Sequence, residues 1–198
     1  MTRVLIVGAG ASGLSCAVCL LSSKGRGFDW ADLVEVLLVD NGRSDLNRAF
    51  IKNAPAIEQI SGVDILERMK TQVYALGGKI LTGKVVKIIR ENSQFFVELE
   101  DGREFISDFV VLASGFHRFD IQGLNVELLD NPMSPKPGRV MIKHSNFLVS
   151  KRLYVAGTLA GISSHFTSCA GSGFEVASII MKELAGKPVV IHDVPEAP

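Results

Sequence analysis

Apolar runs along this chain alternate with segments of helical periodicity. Residues 3–7 begin with Arg3 and continue as an apolar run that Gly8 ends. Such a run is typical of a strand buried on both faces of a parallel sheet. Comparable apolar runs predict further strands at 34–39, 79–81, 109–113 and 153–157. The intervals between these runs can hold helices, so the pattern predicts a parallel sheet with helical connections.

Three segments have the apolar spacing of helices. From Ser12 to about Ser23, apolar residues recur every three or four positions, which predicts a helix packed on the sheet. Residues 61–76 predict a second helix, which is followed by Gly77-Gly78. The residues of that helix available for the core are Val63, Leu66, Val73 and Leu76. A final helix is predicted to begin near 170–173 and to end at about Leu184.

Two stretches depart from this alternation. Residues 83–107 contain short apolar runs separated by Glu91-Asn92-Ser93 and by Asp101-Gly102, which favour tight hairpin turns. Residues 117–139 are rich in turn formers such as Asn131-Pro132 and predict a surface excursion. The predicted fold class is therefore α/β, a Rossmann-like parallel sheet with a small antiparallel β appendage.

Composition narrows the classes of protein. The chain has 198 residues, 47% of them hydrophobic, which is enough for one substantial α/β core. Lys plus Arg and Asp plus Glu both number 21, and no basic stripe suits a phosphate backbone, so a nucleic-acid partner is not expected. The sequence shows neither a signal peptide nor an apolar run of membrane-spanning length. With three cysteines and no disulfide framework, the expectation is a cytoplasmic protein without a membrane partner.

The turn after the first strand carries the strongest chemical signal. In Gly8-x-Gly10-x-x-Gly13 the first glycine permits a tight turn, the second lets the backbone approach a pyrophosphate, and the third lets helix and strand pack closely. The helix amino end then offers free N–H groups and a partial positive charge to phosphates. This pattern predicts dinucleotide binding, and a merely tight turn between strand and helix is the structural alternative.

Acidic and basic residues follow the second predicted strand. Asp40 lies at its carboxyl end, where a carboxylate accepts hydrogen bonds from ribose hydroxyls of a dinucleotide. An Asp that only ends a strand is the alternative. Asn41 and Arg43 follow closely, and Arg43 is either a contact to the adenine or a phosphate or an ordinary solvated side chain.

Together with the glycine turn, four further motifs resemble the FAD-containing pyridine nucleotide-disulfide oxidoreductases, most closely the flavin domain of thioredoxin reductase. Besides the glycine turn, the segment 110–115 is similar to the family's strand ending in Ala-Thr-Gly, and 153–158 is similar to its strand ending in Ala-Gly-Asp. Residues 168–173 resemble the small-residue helix start that follows, and Asn53-Ala54-Pro55 resembles an Asn-x-Pro-Gly segment near the flavin. The resemblance covers nearly the whole chain and implies one FAD-binding domain over 1–198.

The resemblance also implies roles for particular residues. Gly157 would border the ribityl phosphate, a helix from about Cys169 would direct its amino end at the flavin, and Val86 would contact the adenine through its main chain. A second glycine-rich turn after a strand favours FAD over a bare nicotinamide dinucleotide. The implied cofactor-binding residues are Gly8, Gly10, Ala11, Ser12, Gly13, Asp40, Asn41, Arg43, Asn53, Val86, Ala113, Ser114, Gly115, Gly157, Thr158, His165 and Ala170.

Two departures from the family pattern limit the functional expectation. Thr158 stands where the family usually has an Asp that holds the ribityl chain. Between Gly115 and Leu153 the family carries a nicotinamide-binding domain, whereas the corresponding residues here contain no second glycine fingerprint and no Cys-x-x-Cys. We therefore expect electrons to reach the flavin from a small-molecule or protein partner.

The catalytic candidates are His165 and Cys169, which the resemblance puts near the isoalloxazine ring. His165 could donate to reduced flavin or relay a proton, or be a loop histidine without a role. Cys169 is either a small packed residue or a thiol that reacts with the flavin. Cys16 and Cys19 lie beyond the first turn of their helix, a position that favours packing over redox chemistry. No metal site is indicated. The alternatives to an oxidoreductase are a non-catalytic or subunit flavoprotein and a nicotinamide-binding protein without flavin, and a homodimer covering the flavin is a candidate assembly.

Overall fold

The apolar runs of the sequence become strands of one central sheet in a computed structural model, which describes residues 1–192; the last six residues of the predicted domain lie outside the described residues. The strands are β1 (Thr2–Val7), β2 (Val34–Asp40), β3 (Phe50–Ile51), β4 (Ile60–Ser61), β5 (Lys79–Thr82), β6 (Val85–Glu91), β7 (Gln94–Leu99), β8 (Glu104–Ser107), β9 (Phe109–Leu112), β10 (Leu128–Asp130), β11 (Val140–Ile142), β12 (Leu148–Ser150) and β13 (Leu153–Val155). The α-helices are α1 (Ala11–Leu21), α2 (Gly62–Ala75) and α3 (Phe166–Ala185), and 3₁₀ turns lie at Ala31–Leu33, Asp45–Arg48 and Gly157–Ala160.

The central sheet has the strand order β12-β13-β9-β1-β2-β5. β1 runs parallel to β2 and β9, β13 runs parallel to β9, and β5 runs parallel to β2. Only the edge strand β12 is antiparallel among the described strands of this sheet. Val4, Leu5 and Ile6 of β1 are buried because helices cover one face and another sheet covers the other. The predicted Rossmann-like α/β fold is confirmed.

The helices pack on one face of the central sheet. In α2, Leu66 and Val73 are buried as predicted, but Val63 is 47% exposed, so its predicted place in the core is wrong. Ile65 and Met69 fill the core positions instead. The apolar spacing of α2 allows more than one rotation of the helix, and packing turns Ile65 and Met69 toward the core, which leaves position 63 facing outward.

The opposite face carries the predicted antiparallel appendage. Strands β6, β7 and β8 form a three-stranded sheet in the order β6-β7-β8. Ile88, Phe95 and Val97 point from this sheet into an apolar cluster with Leu5 and Val110 of the central sheet. The appendage therefore shares its core with the sheet instead of forming a separate unit.

Residues 117–139 are more closely held than a surface excursion implies. The backbone of Gln122 pairs with β6, since its N–H donates to the Val86 carbonyl and its carbonyl accepts from the Ile88 N–H. β10 and β11 form an antiparallel pair, and the Asn131 side-chain amide donates to the Thr158 carbonyl at 2.6 Å. This segment thus supports the strand ends near Thr158.

The last helix begins earlier than its sequence suggests. α3 starts at Phe166 with His165 as its N-cap residue, several residues before the predicted start at 170–173. Gly173 lies inside the helix. It is a glycine at a close contact, because a Cβ there would overlap the backbone of Ser12 in α1. Small residues in this stretch therefore permit a close helix contact, and they do not mark the helix start.

Candidate functional site

A groove of about 970 Å³ runs along the carboxyl ends of β2, β1 and β9 and reaches the start of α3. In parallel α/β sheets this edge is where ligands bind. The groove brings together the following residues singled out from the sequence: Gly8, Gly10, Ala11, Ser12, Asp40, Asn41, Arg43, Ala113, Ser114, Gly115, Thr158, His165 and Cys169.

The three glycines of the first turn have different surroundings. Gly8 has a φ of 106°, and a Cβ there would overlap the Ala113 carbonyl. A Cβ at Gly13 would overlap the Gly8 carbonyl, so Gly13 permits the close packing of α1 on β1. At Gly10 the nearest atom to a Cβ is Ser44 Oγ at 3.6 Å, which leaves space facing the groove. Only Gly10 therefore has free room of the kind that a ligand would occupy.

The amino end of α1 is open to the groove. Its N-cap residue is Gly10, and among the described residues no side chain caps it and no acidic residue lies in its first turn. The first N–H groups of a helix have no intrahelical acceptor, and the helix dipole adds partial positive charge. This end of α1 is suited to an anion.

Asp40 is fixed at the end of β2 by two backbone donors. Its Oδ1 accepts from the Ala9 N–H at 3.0 Å and its Oδ2 accepts from the Gly42 N–H at 3.1 Å. A carboxylate has about four acceptor positions, so acceptor capacity remains for hydroxyl groups in the groove. The Asn41 side chain accepts from the Arg43 N–H at 3.0 Å and so shapes the turn itself.

Two loops that line the groove touch each other through residues that the sequence did not indicate. His117 Nε2 lies 2.9 Å from both carboxylate oxygens of Asp45. Asp45 belongs to the segment after β2, whereas His117 follows β9, and both side chains are more than half exposed. No local pattern reveals such a pair, because 72 residues separate the two positions.

The amino end of α3 lies at the other end of the groove. His165 is its N-cap residue, and within residues 1–192 no side chain caps this helix and no acidic residue occupies its first turn. The backbone N–H of Cys169 already donates to the His165 carbonyl at 3.0 Å, so the unpaired N–H groups are those of residues 166–168. The amino end of α3 is thus a second group of unpaired N–H donors in the groove. It lies three residues before Cys169, where the sequence predicted this helix end.

The cysteines are poor candidates for redox chemistry. Burial raises the pKa of the Cys169 thiol to about 11, and Cys169 Sγ donates to the Ser163 carbonyl at 3.4 Å. Burial also raises the pKa of Cys19 to about 11 and that of Cys16 still further, and both side chains lie in the core beside α3. Since the thiolate is the reactive form, the raised pKa values make all three thiols weakly reactive near neutral pH.

Five implied cofactor residues do not line the groove. Gly13 lies behind the turn, and Gly157, with a φ of 69°, packs against the Ser12 side chain. Ala170 lies past the open N–H groups of α3. The Val86 carbonyl is taken by the Gln122 N–H at 2.9 Å, and Asn53 is exposed away from the groove.

Two broader observations bear on the type of site. The described residues contain no group of three or more His, Cys, Asp or Glu placed to hold a metal ion. Across residues 1–192, no helix has the length and apolarity needed to cross a membrane.

Comparison with known sequences gives one curated relative. No family model matches the chain. Thioredoxin reductase of Aquifex aeolicus (strain VF5) is 28% identical over 113 residues, which cover 57% of this chain and 33% of that protein. The match thus spans about a third of the length of the curated relative.

Comparison with solved structures identifies the fold. The thioredoxin reductase of Gloeobacter violaceus superposes with a TM-score of 0.75 at 14% identity and covers 98% of both chains. That of Lactococcus lactis gives 0.70 at 14% identity, with 94% of this chain and 100% of that chain covered. A ferredoxin-flavin thioredoxin reductase from Clostridium acetobutylicum gives 0.68 at 14% identity, with 93% and 98% covered. The chain has a thioredoxin reductase-like fold, which confirms the resemblance seen in the sequence at the level of the fold.

Proposed function

We propose that this chain is a thioredoxin reductase-like flavoprotein whose groove binds FAD, with residues 1–198 acting as one cofactor-binding domain. The observation that carries the proposal is the groove itself. One groove joins the ribose acceptor Asp40, the open amino end of α1 and the open amino end of α3, in the order that an extended dinucleotide needs. The similar structure from Clostridium acetobutylicum is a ferredoxin-flavin thioredoxin reductase, which supports this choice of ligand.

The residues at the α1 end fit a pyrophosphate. A Cβ at Gly10 would fill space at the groove, and Gly10 is also the N-cap residue of α1, whose amino end no side chain caps. Asp40 would accept hydrogen bonds from the adenosine ribose, and Arg43 in the groove wall would offset the phosphate charge. Thr158, in place of the family's Asp, offers a hydroxyl to the ribityl chain from a backbone held by Asn131.

The α3 end would hold the flavin ring. FAD supplies a ring that accepts and releases a pair of electrons, and negative charge develops on the ring when it is reduced. The open N–H groups of residues 166–168 would stabilise that charge through the helix dipole. His165 lines the same end of the groove, so we propose it as the residue that donates or relays a proton there.

Cys169 is the weaker of the two proposed catalytic residues because its thiol is protonated near neutral pH. With Cys16 and Cys19 buried as well, the chain has no reactive dithiol of its own in the described residues. We therefore propose that electrons pass through the flavin between a small molecule or a protein partner and a second acceptor. The same observation favours a second candidate, a subunit flavoprotein whose active site another chain completes. The proposed location is the cytoplasm.

Visible absorption of the purified protein tests FAD binding. We expect flavin bands, or binding of added FAD that is measurable by quenching of flavin fluorescence, and no comparable binding of NADH to the apoprotein. Gly10→Val should weaken FAD binding at least about a hundredfold, because the side chain fills the phosphate cradle. Gly171→Val is the matched control, since Gly171 is exposed on α3 with open space around it. A colourless protein that rejects FAD, or a folded Gly10→Val that keeps full affinity, contradicts the proposal.

Anaerobic mixing separates the enzyme from the subunit role. The reconstituted protein should be reduced slowly by NADH and NADPH, because the residues between Gly115 and Leu153 contain no second glycine fingerprint. Fast reduction by a small donor, followed by reoxidation by an added acceptor, supports an oxidoreductase that works alone. If only a second protein restores reduction, the subunit role is supported.

A further inference from the structure

The pair of His117 and Asp45 joins the two segments that flank the glycine turn. In the central sheet β1 lies between β9 and β2. His117 follows β9 and Asp45 follows β2, whereas the glycine turn follows β1. The contact of 2.9 Å between the imidazole and the carboxylate therefore spans the groove from one side of that turn to the other. We call this pair the strap.

The strap lies above the floor of the groove. Both of its side chains are more than half exposed, whereas Ala11 and Ala113, which also line the groove, are buried. Ser44, next to Asp45, lies beside the glycine turn, with its Oγ 3.6 Å from the position of a Cβ on Gly10. Because the groove is lined both by this floor and by the strap, its free space lies between them. That space is at the open amino end of α1.

The two sides of the strap are anchored to different parts of the fold. Gly62 of α2 lies so close to Leu46 that a Cβ would overlap the Leu46 carbonyl, and the Gly62 N–H donates to the Ala49 carbonyl at 2.9 Å. On the other side Phe116 is buried, and its carbonyl accepts from the Val140 N–H of β11 at 2.9 Å. The strap can therefore open by rotation of its two exposed side chains while both segments stay folded.

The strap is also the one polar link between these segments. Among residues 1–192, no other hydrogen bond or ion pair joins residues 41–49 to residues 113–121. An exposed pair of this kind contributes little to stability, because water solvates both partners when they separate. The strap is thus suited to open and close, and the fold does not depend on it.

We propose that the strap controls the exchange of the dinucleotide, an inference that rests on the proposed binding of FAD in this groove. FAD is bulky at both ends, with adenosine at one and the flavin ring at the other, and its pyrophosphate would lie below the strap. Neither end passes lengthwise under a closed strap, so FAD enters and leaves only when His117 and Asp45 separate. Since the same opening serves entry and exit, the strap slows both and leaves the affinity nearly unchanged.

Stopped-flow flavin fluorescence of the full chain measures the two rate constants. His117→Ala should raise the association and the dissociation rate constants by the same factor, about threefold, with little change in the dissociation constant. Asp45→Ala should do the same, and the double variant should add nothing, because both changes remove one contact. Lys143→Ala is the matched control and should change neither rate constant, since its exposed pair with Glu127, at 2.8 Å, lies away from the groove.

A covalent lock tests the strap directly. In the double variant His117→Cys with Asp45→Cys, a short bis-maleimide joins the two exposed side chains across the groove. Cross-linking after FAD is bound should retain the flavin on dilution, and cross-linking before FAD is added should slow its uptake at least about tenfold. Each single substitution treated with the same reagent is the control, and peptide mapping identifies the linked positions.

The outcomes separate the strap from the proposed function. A wild-type chain that binds no FAD contradicts the proposed function, and the strap with it. FAD binding with equal rate constants in the wild type and in His117→Ala overturns the strap alone, as does a cross-linked protein that exchanges FAD freely. A rise in the dissociation rate constant alone also overturns it, because His117 then contacts the ligand and does not control its passage. Circular dichroism of each variant confirms that the fold is retained.

Discussion

The amino ends of α1 and α3 differ from the amino end of α2. α2 begins with Ser61, whose hydroxyl accepts from the Asp64 N–H at 3.0 Å, and Asp64 adds a carboxylate in the first turn. α1 and α3 begin with Gly10 and His165, with neither a capping side chain nor an acidic first turn within the described part of the chain. The two uncapped ends line the groove, whereas the capped end does not.

This difference separates stability from ligand binding. A capping side chain contributes about 1 kcal/mol to a helix, and an acidic residue in the first turn contributes up to about 1 kcal/mol more. α1 and α3 lack both contributions, so their donors and their partial positive charge stay available to a ligand. Helix amino ends that remain open beside a groove are therefore consistent with phosphate and flavin binding, and the following changes test the distinction.

Cys169 tests whether the open end of α3 activates a thiol. A helix amino end lowers a thiol pKa, but burial outweighs it and raises the pKa of Cys169 to about 11. At pH 7.5 we expect Cys169 in the folded protein to react with iodoacetamide roughly a hundred times more slowly than in urea. The folded rate should keep rising through pH 10, because deprotonation is incomplete below the raised pKa. Peptide mapping by mass spectrometry measures this, and a plateau below pH 9 would show an activated thiol.

Gly173→Ala tests how the two open ends are held together. The new Cβ would overlap the Ser12 backbone of α1, so the free energy of unfolding should fall by roughly 2–3 kcal/mol. Gly171→Ala is the matched control on the same helix, because no atom lies near its Cβ position. It should be neutral or stabilising by up to about 1 kcal/mol. Urea denaturation measures both variants, and equal effects would disprove close packing of α3 on α1.

Asp40→Asn tests the proposed ribose end of the groove. The variant loses its charge and one acceptor oxygen, so FAD affinity should fall about tenfold. Asp108→Asn is the control, since Asp108 also accepts a backbone N–H, from Arg3 at 2.9 Å, but lies away from the groove. Fluorescence titration should show a loss for Asp40→Asn only. Equal affinities in the two variants would place the ribose elsewhere.

Ser61→Ala tests the capped helix. Loss of the hydroxyl that accepts from the Asp64 N–H should lower the free energy of unfolding by about 1 kcal/mol. FAD affinity should stay unchanged, because the amino end of α2 does not line the groove. Urea denaturation and FAD titration measure the two quantities, and a large loss of affinity without unfolding would break the contrast between the helices.

Thr167→Asp tests the opposite exchange at α3. A carboxylate in the first turn should raise the free energy of unfolding by about 0.5 kcal/mol and lower FAD affinity by about threefold, since it occupies the positive end of the dipole. Thr167→Asn is the uncharged control and should leave affinity near that of the wild type. A gain in stability without any loss of affinity would indicate that the α3 end does not face the ligand.

Local patterns predicted much of the fold and the first half of the site. The run 3–7, the turn from Gly8 to Gly13 and Asp40 were correctly identified as strand, turn and strand end, because adjacent residues fix their backbone geometry. Val63 was placed in the core wrongly, since the apolar spacing of α2 allows more than one rotation of the helix. The predicted start of α3 at 170–173 is too late, since the helix begins at Phe166. A glycine that permits close helix packing cannot be told from a glycine in a turn by its sequence alone.

The sequence by itself determined which strands are buried, where the glycine turn lies, and that the chain resembles a flavin domain. Those features depend on residues close together in the chain, whose conformations are set by sterics and burial. Only the tertiary structure decided that His117 meets Asp45, that Gly173 packs on Ser12, and that Ile89, Phe96 and Ile106 share one exposed row. These contacts join distant segments, and their partners are fixed by strand order, register and helix packing.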